Sequence, residues 1–377
     1  MKLFPDTSAY PEKRLFALDL MRGLDMFCLG YLLHCGWAVQ KMWKMPDVFL
    51  WNFEHYWGHL GLMDFLQPIF LFVCGAAVPF AIPKRLTPDG RPTPAYWRHV
   101  IWRVVMLWGL GLLMHGNFLT FEPSKFLIYN NTLQTIAVGY LAAALSMLIR
   151  RNGLLWRAIL AFVFVSAAAL AVTIYGDYTN TGNISRIIDE RIYAYLAHHT
   201  PLTGLKGKDF CYFLTTLTWA GIGIAGSTAA EILRSPRTPW SKARILGVAG
   251  GAFFVAGLVL SAWIPPLRHI YTLSFNYILL GVSFLLLAGL FVLTDIWKCR
   301  AHLGFFMLIG QFSLLTWCLH TFFRPAVNKL VSLVTFGVPN LLGTSWPQPA
   351  IEQCVVMVVF TAILLVRYRL SLRNGAS

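Results

Sequence analysis

Two neighbouring apolar stretches near the start of this 377-residue chain carry charges and a histidine that could do proton chemistry. The first, Leu18–Val39, holds Asp19, Arg22, Asp25 and His34; the second, Leu62–Ile82, opens with Asp64. Between them runs Phe53-Glu54-His55-Tyr56-Trp57-Gly58-His59. Ionisable groups inside membrane spans are costly and usually line a bundle interior or a water-filled path. A histidine titrates near neutral pH, so His55 can take a proton from an amine or hydroxyl and return it to a leaving thiolate. The bland alternative is an interfacial histidine beside the aromatic belt of Trp51, Tyr56 and Trp57. Asp64 can orient an imidazole or cap a helix start. Asp19 and Arg22 are three apart and share a helical face, with Asp25 one step further. They form either a clamp between helices or a site for a charged ligand.

His34, His55 and His320 converge on one end of the bundle, which permits a metal, but the signal is weak and no metal is expected. Asn131-Thr132-Leu133-Gln134 places polar groups where another apolar stretch begins; Gln134 faces inward and either caps a helix or bonds across helices. Phosphate-cradling loops and Gly-x-Ser-x-Gly elbows are absent.

The elements that must position these groups are membrane helices. Hydrophobic residues make up 57% of the chain and charged residues 12%, and the mean hydropathy is +0.61. That composition excludes ordinary soluble classes. Apolar stretches of about 20 residues, the length a helix needs to cross, fall at 17–39, 62–82, 98–115, 131–149, 154–174, 210–232, 244–264, 272–293, 304–322 and 350–367. The fold class expected is therefore all-α: a polytopic membrane protein of about ten transmembrane helices forming one domain over residues 1–377. The longest polar connection, Gly176–Asp209, is too short to bury its own core. No cleavable signal sequence is expected, and the seven scattered cysteines support neither disulfides nor zinc.

The net charge of +15 reflects topology rather than nucleic-acid binding. Lys13 and Arg14 precede the first stretch, and further basic clusters follow alternate stretches: Lys84 to Arg98, Arg150 to Arg157, Arg234 to Arg244, Lys298 and Arg300, then Arg367 to Arg373. With ten spans, twenty of the thirty-one Lys and Arg lie on one side, ten on the other, and Arg22 lies within the first span. Both termini are then cytoplasmic, and His55 and the Gly116–Asn130 and Gly176–Asp209 loops face outward. The weaker segment 325–338, interrupted by Asn328, Lys329 and Gly337, reads as an external re-entrant or interfacial helix. Asn130 and Asn183 sit in N-x-Ser/Thr triplets, which carry no weight in a bacterial protein.

The chain resembles the transmembrane acyltransferases related to heparan-α-glucosaminide N-acetyltransferase. The likeness is carried by Arg14-Leu15-x-x-Leu18-Asp19-x-x-Arg22-Gly23-Leu24 and by His55-x-Trp57 leading to Asp64-x-x-x-Pro68-x-Phe70-x-Phe72-x-x-Gly75. It continues in His115-Gly116-Asn117-Phe118-Leu119, in Leu133-Gln134, in Tyr271-Thr272-Leu273-Ser274-Phe275 and in Gly310-x-x-Ser313 with His320. Only one residue separates His55 from Trp57, where the family's usual pattern has two.

The resemblance implies acetyl transfer from cytoplasmic acetyl-CoA, as co-substrate and without a metal, to an amino sugar or glycan outside. His55 would be catalytic with Asp64, and Asp19, Arg22, His34, His59, Gln134, Ser274 and His320 would bind substrate. Arg98, Arg103, Arg150 and Arg151 would meet the CoA phosphates. The partners expected are the lipid bilayer, acetyl-CoA and a saccharide acceptor, with no nucleic acid; a homodimer is left open. The expected location is a bacterial inner membrane. The rival is a transporter or flippase whose buried charges form a pathway, against which the lack of an inverted repeat counts.

Overall fold

The computed structural model describes residues 4–5, 15–43, 45–122, 125–129, 131–200, 211–335 and 347–373. Lys13, Arg14, Asn130, Gly337 and the end of the Gly176–Asp209 connection lie outside them. Among the described residues every regular element is helical. In chain order they are α1 (Phe16–Phe27), a π turn (Cys28–Leu32), α2 (Leu33–Met42), α3 (Asp47–Leu50), α4 (Leu62–Ala81), α5 (Pro94–His115), α6 (Thr132–Ser146) and α7 (Gly153–Tyr175). There follow α8 (Ile184–His199), α9 (Thr215–Arg234), α10 (Pro239–Leu260), α11 (Leu273–Phe291) with a π turn (Val292–Ile296), and α12 (Gly304–Gln311). The last are α13 (Ser313–Cys318) with a π turn (Leu319–Phe323), α14 (Arg324–Thr335) and α15 (Pro347–Arg373).

Five helices are long and apolar enough to cross a membrane by themselves: Leu62–Ala81, Gly153–Tyr175, Pro239–Leu260, Leu273–Ile296 and Gln348–Leu372. A sixth is a broken pair, Gly304–Gln311 and Ser313–Thr335, bent by 82°. The other four stretches of the ten-span expectation are helical, and each differs from a simple span for a physical reason. Residues 17–39 carry Asp19, Arg22 and Asp25 and break at a π turn. Arg98 and Arg103 interrupt α5, α6 has only 15 residues, and α9 is rich in Thr and Gly.

The helices gather into two compact units. The first comprises residues 1–55, 61–66 and 290–377. Its core packs Phe16 and Leu20 against Met307, and Leu33 against Met63 and Leu66. Lipid tails are as apolar as these side chains, so close packing rather than hydrophobic burial holds such helices together. Gly23 and Gly310 supply it: a Cβ on Gly23 would strike the Phe306 carbonyl, and one on Gly310 the Asp19 carbonyl. The start of α1 is sealed by Asp295, whose Oδ2 accepts from Ala17 N–H at 3.0 Å. Arg300 in turn lies 3.5 Å from Asp295 Oδ1 and over the Phe16 ring.

The second unit comprises residues 56–60 and 67–289. Here Gly139 and Gly223 bring α6 and α9 into backbone contact. Arg157, counted above among the loop cations, is instead buried. It pairs with Glu231 and donates to the carbonyls of Ser146 and Ile149, satisfying groups that the end of α6 leaves open. Pro83 has no N–H to donate to Pro79 one turn back, and the Arg234 guanidinium bonds that carbonyl in its place. The connection expected to be polar loop contains α8, whose first turn is capped by Asn183 Oδ1 accepting from Arg186 N–H at 2.9 Å.

Candidate functional site

The candidate site centres on the start of α4. A helix N-terminus leaves its first N–H groups without acceptors. Asp64, the third residue of the helix, reaches back so that Oδ2 accepts from Gly61 N–H at 2.9 Å, one half of a capping box. Its other oxygen, Oδ1, lies 2.7 Å from His55 Nδ1. The carboxyl is 2% exposed while the imidazole is 33% exposed, so a buried anchor holds an accessible ring. The positive end of the α4 dipole favours the carboxylate there. With Nδ1–H donated to Asp64, Nε2 is the basic nitrogen. The loop before His55 is fixed independently: Trp37 donates its indole N–H to the Phe53 carbonyl at 3.0 Å.

Within the same unit the structure brings His34 and His320 together. Their rings stack at 5.6 Å between centroids. His34 Nδ1 bonds the Gly30 carbonyl at 2.7 Å, and its ring meets Trp37 edge-on. His320 is buried against Tyr31 and Phe360, and neither ring nitrogen has a hydrogen-bond partner among the described residues. A Cβ on Gly30 would run into the His320 ring. Gly30 and His320 each sit in a π turn, a geometry that recurs at functional sites. Arg22 pairs with Asp19 at 3.1 Å. Buried Asp25 has neither oxygen hydrogen-bonded among the described residues.

Other expected residues are placed elsewhere. His59 is exposed on the turn 56–60 of the second unit. Gln134 is fully buried, and its Nε2 donates to the Ile128 carbonyl at 2.5 Å. Asn131 Oδ1 accepts the N–H groups of Leu133 and Gln134, so this polar cluster builds the start of α6. Ser274 is also fully buried, 3.4 Å from the Thr272 hydroxyl that closes the turn before α11. Of the four phosphate candidates, all in the second unit, Arg98, Arg150 and Arg151 are exposed, and Arg103 lies over the Tyr140 ring. Among the described residues no three His, Cys, Asp or Glu side chains gather as a metal site.

Sequence reasoning missed a buried polar chain in the second unit. Arg268 Nη2 donates to Gln67 Oε1 at 2.5 Å, and Gln67 Nε2 donates to Thr135 Oγ1 at 3.0 Å. A glutamine three residues beyond Asp64 on an otherwise apolar helix was the available signal. Comparison of the chain with models of known families and with curated proteins gives no match.

Proposed function

We propose that this protein is a membrane acyltransferase that moves an acetyl group from acetyl-CoA to an amino sugar or glycan. The observation that carries the reading is the His55–Asp64 pair: an accessible imidazole held at Nδ1 by a buried carboxylate that the helix start itself fixes. That is the arrangement of a general base with its orienting group. In the reaction, His55 Nε2 takes the proton from the acceptor nitrogen or oxygen as that atom bonds to the thioester carbonyl carbon. The tetrahedral intermediate collapses, the C–S bond breaks, and the imidazolium returns the proton to the departing thiolate, giving acetylated acceptor and CoA. Asp64 compensates the imidazolium between the two steps. Acetyl transfer through an acyl-histidine is the variant in which Nε2 itself attacks.

Arg98, Arg103, Arg150 and Arg151 are the candidate partners of the CoA phosphates, as guanidiniums suit phosphate. The ten-span arrangement, with both termini cytoplasmic and His55 outside, belongs to the same proposal. The rival transporter reading draws on buried Asp25 and His320, neither of which has a hydrogen-bond partner among the described residues.

Purified protein supplied with labelled acetyl-CoA and a panel of amino sugars decides between them. Transfer of label is expected in the wild type, with His55→Ala lowering it about 10²–10⁴-fold. Loss at His59→Ala or His34→Ala with His55→Ala unaffected would move the base elsewhere. Absence of any acetyl-CoA consumption would favour the transporter.

A further inference from the structure

A shallow cleft of about 840 Å³ opens at the end of α7 in the second unit, where Trp57 on the turn 56–60 meets the segment from Tyr175 to Asn180. Helix α7 is long and apolar enough to cross a membrane by itself. One side of it is bare: Leu155, Ile159, Phe162, Val163, Leu170 and Ile174 are exposed. Half-exposed Trp156 and Tyr175 stand near its two ends. At 1.5 Å per residue they lie about 28 Å apart, close to the roughly 30 Å hydrocarbon core. Trp and Tyr favour the headgroup level of a bilayer. Lipid acyl chains therefore run along this side of α7, and the headgroup above them meets the cleft.

Three features of the cleft favour a cation there. It sits at the negative end of the α7 dipole, with no basic side chain in the last turn. Asp177 Oδ1 accepts from the Thr179 hydroxyl at 2.7 Å and the Thr179 N–H at 2.8 Å, and these bonds hold the carboxyl below the usual carboxylate range. Asp177 makes no ion pair among the described residues. The rings of Trp57, Tyr175 and Tyr178 line the cleft, and aromatic faces attract ammonium groups. The indole is fixed by donating to the Tyr178 carbonyl at 3.0 Å and by stacking on His269. Arg186 donates to the Asn180 carbonyl at the cleft edge, but Glu190 pairs with it at 2.8 Å, and no described residue lining the cleft is basic. An anionic headgroup would meet only like charge. A quaternary ammonium would gain the rings but has no N–H for Asp177 or for the open carbonyls of a helix end, whereas a primary ammonium has three. We propose that this cleft binds the headgroup of a phospholipid that ends in a primary ammonium, with its acyl chains on the bare side of α7. The site stands on the membrane-crossing character of α7 and is independent of the acyltransferase reading.

Native mass spectrometry of the detergent-purified full chain tests this, with phosphatidylethanolamine, phosphatidylcholine and phosphatidylglycerol titrated in turn. Phosphatidylethanolamine is expected to bind about threefold more tightly than either of the others. Asp177→Asn keeps an oxygen for Thr179 and removes the charge; Tyr175→Leu removes a ring and keeps the position apolar. Each is expected to weaken phosphatidylethanolamine about threefold, at a cost typical of exposed contacts, and to leave phosphatidylglycerol unchanged. Thermal melting identifies a variant that fails to fold, and the inference then stands or falls on the other. Equal or tighter binding of either competing lipid, or unchanged affinity in a folded variant, would overturn it. Displacement of the lipid by an equal concentration of free ethanolamine would overturn it too, since the cleft would then hold a soluble amine without help from α7.

Discussion

One carboxylate does two jobs at the start of α4, and the two can be separated by substitution. Asp64 accepts from Gly61 N–H through Oδ2 and from His55 Nδ1 through Oδ1. An asparagine has one acceptor oxygen. If that oxygen keeps the Gly61 bond, the amide NH₂ faces His55 and favours the tautomer with its proton on Nε2, which is no base. Asp64→Asn is therefore expected to reduce acetyl transfer about 10²–10⁴-fold with little loss of stability. Asp64→Ala is expected to lose the helix-start bond as well, at about 0.5–2 kcal/mol. Initial rates and melting temperatures of the two variants check this, and full activity in Asp64→Asn would sink the orienting role. The sequence already offered both roles for Asp64 as alternatives. Their coexistence was illegible there, because pairing across the loop His55–Gly61 leaves no periodic trace.

At the scale of elements, α8 shows how a segment read as loop becomes structure. Asn183 caps it, and it docks where Asp189 Oδ1 accepts from Phe213 N–H at 2.9 Å and Tyr193 packs on the Phe213 ring. Asp189 is 2% exposed, and its Oδ2 has no hydrogen-bond partner among the described residues. Burial pushes this carboxyl up to about 7, while the Phe213 N–H pulls it partly back. The folded pKa lies above the unfolded one, so between about pH 4 and about 7 the folded chain binds more protons and stability falls as pH rises. Asp189→Asn removes that slope and keeps an acceptor for Phe213. The melting temperature of the variant minus that of wild type is expected to grow from pH 5 to pH 8. An unchanged difference would mean that Asp189 is already charged in the fold. Helix existence was legible from twenty-residue apolar runs, since length and hydropathy are local. The π turns at Cys28–Leu32 and Leu319–Phe323 were not, because inserting one residue leaves no mark on composition. Nor was the burial of Arg157, which depends on Glu231 from a distant helix.

At the scale of the molecule, the open question is the number of crossings, and it turns on α6. Fifteen residues span about 22 Å at 1.5 Å each, short of the roughly 30 Å hydrocarbon core. Left in lipid, both ends would expose backbone groups that no lipid can satisfy. Here protein seals them: Asn131 takes the N–H groups of Leu133 and Gln134, and Arg157 takes the carbonyls of Ser146 and Ile149. Leu133, Ile136, Ala137, Tyr140 and Ala144 are buried along its length. A helix packed in protein on its length and capped at both ends can cross without matching the bilayer. The proposed ten-span arrangement requires that crossing, since without it every basic cluster after Arg98 would fall on the side opposite to those before it. Reporter fusions after Arg98 and after Tyr175 bracket α5, α6 and α7, and three crossings place the two reporters on opposite sides. A periplasmic-active alkaline phosphatase and a cytoplasm-active fluorescent protein at each position read this directly. Opposite signals are expected; the same side at both positions would remove α6 from the crossings and overturn the ten-span topology along with the outward placement of α8.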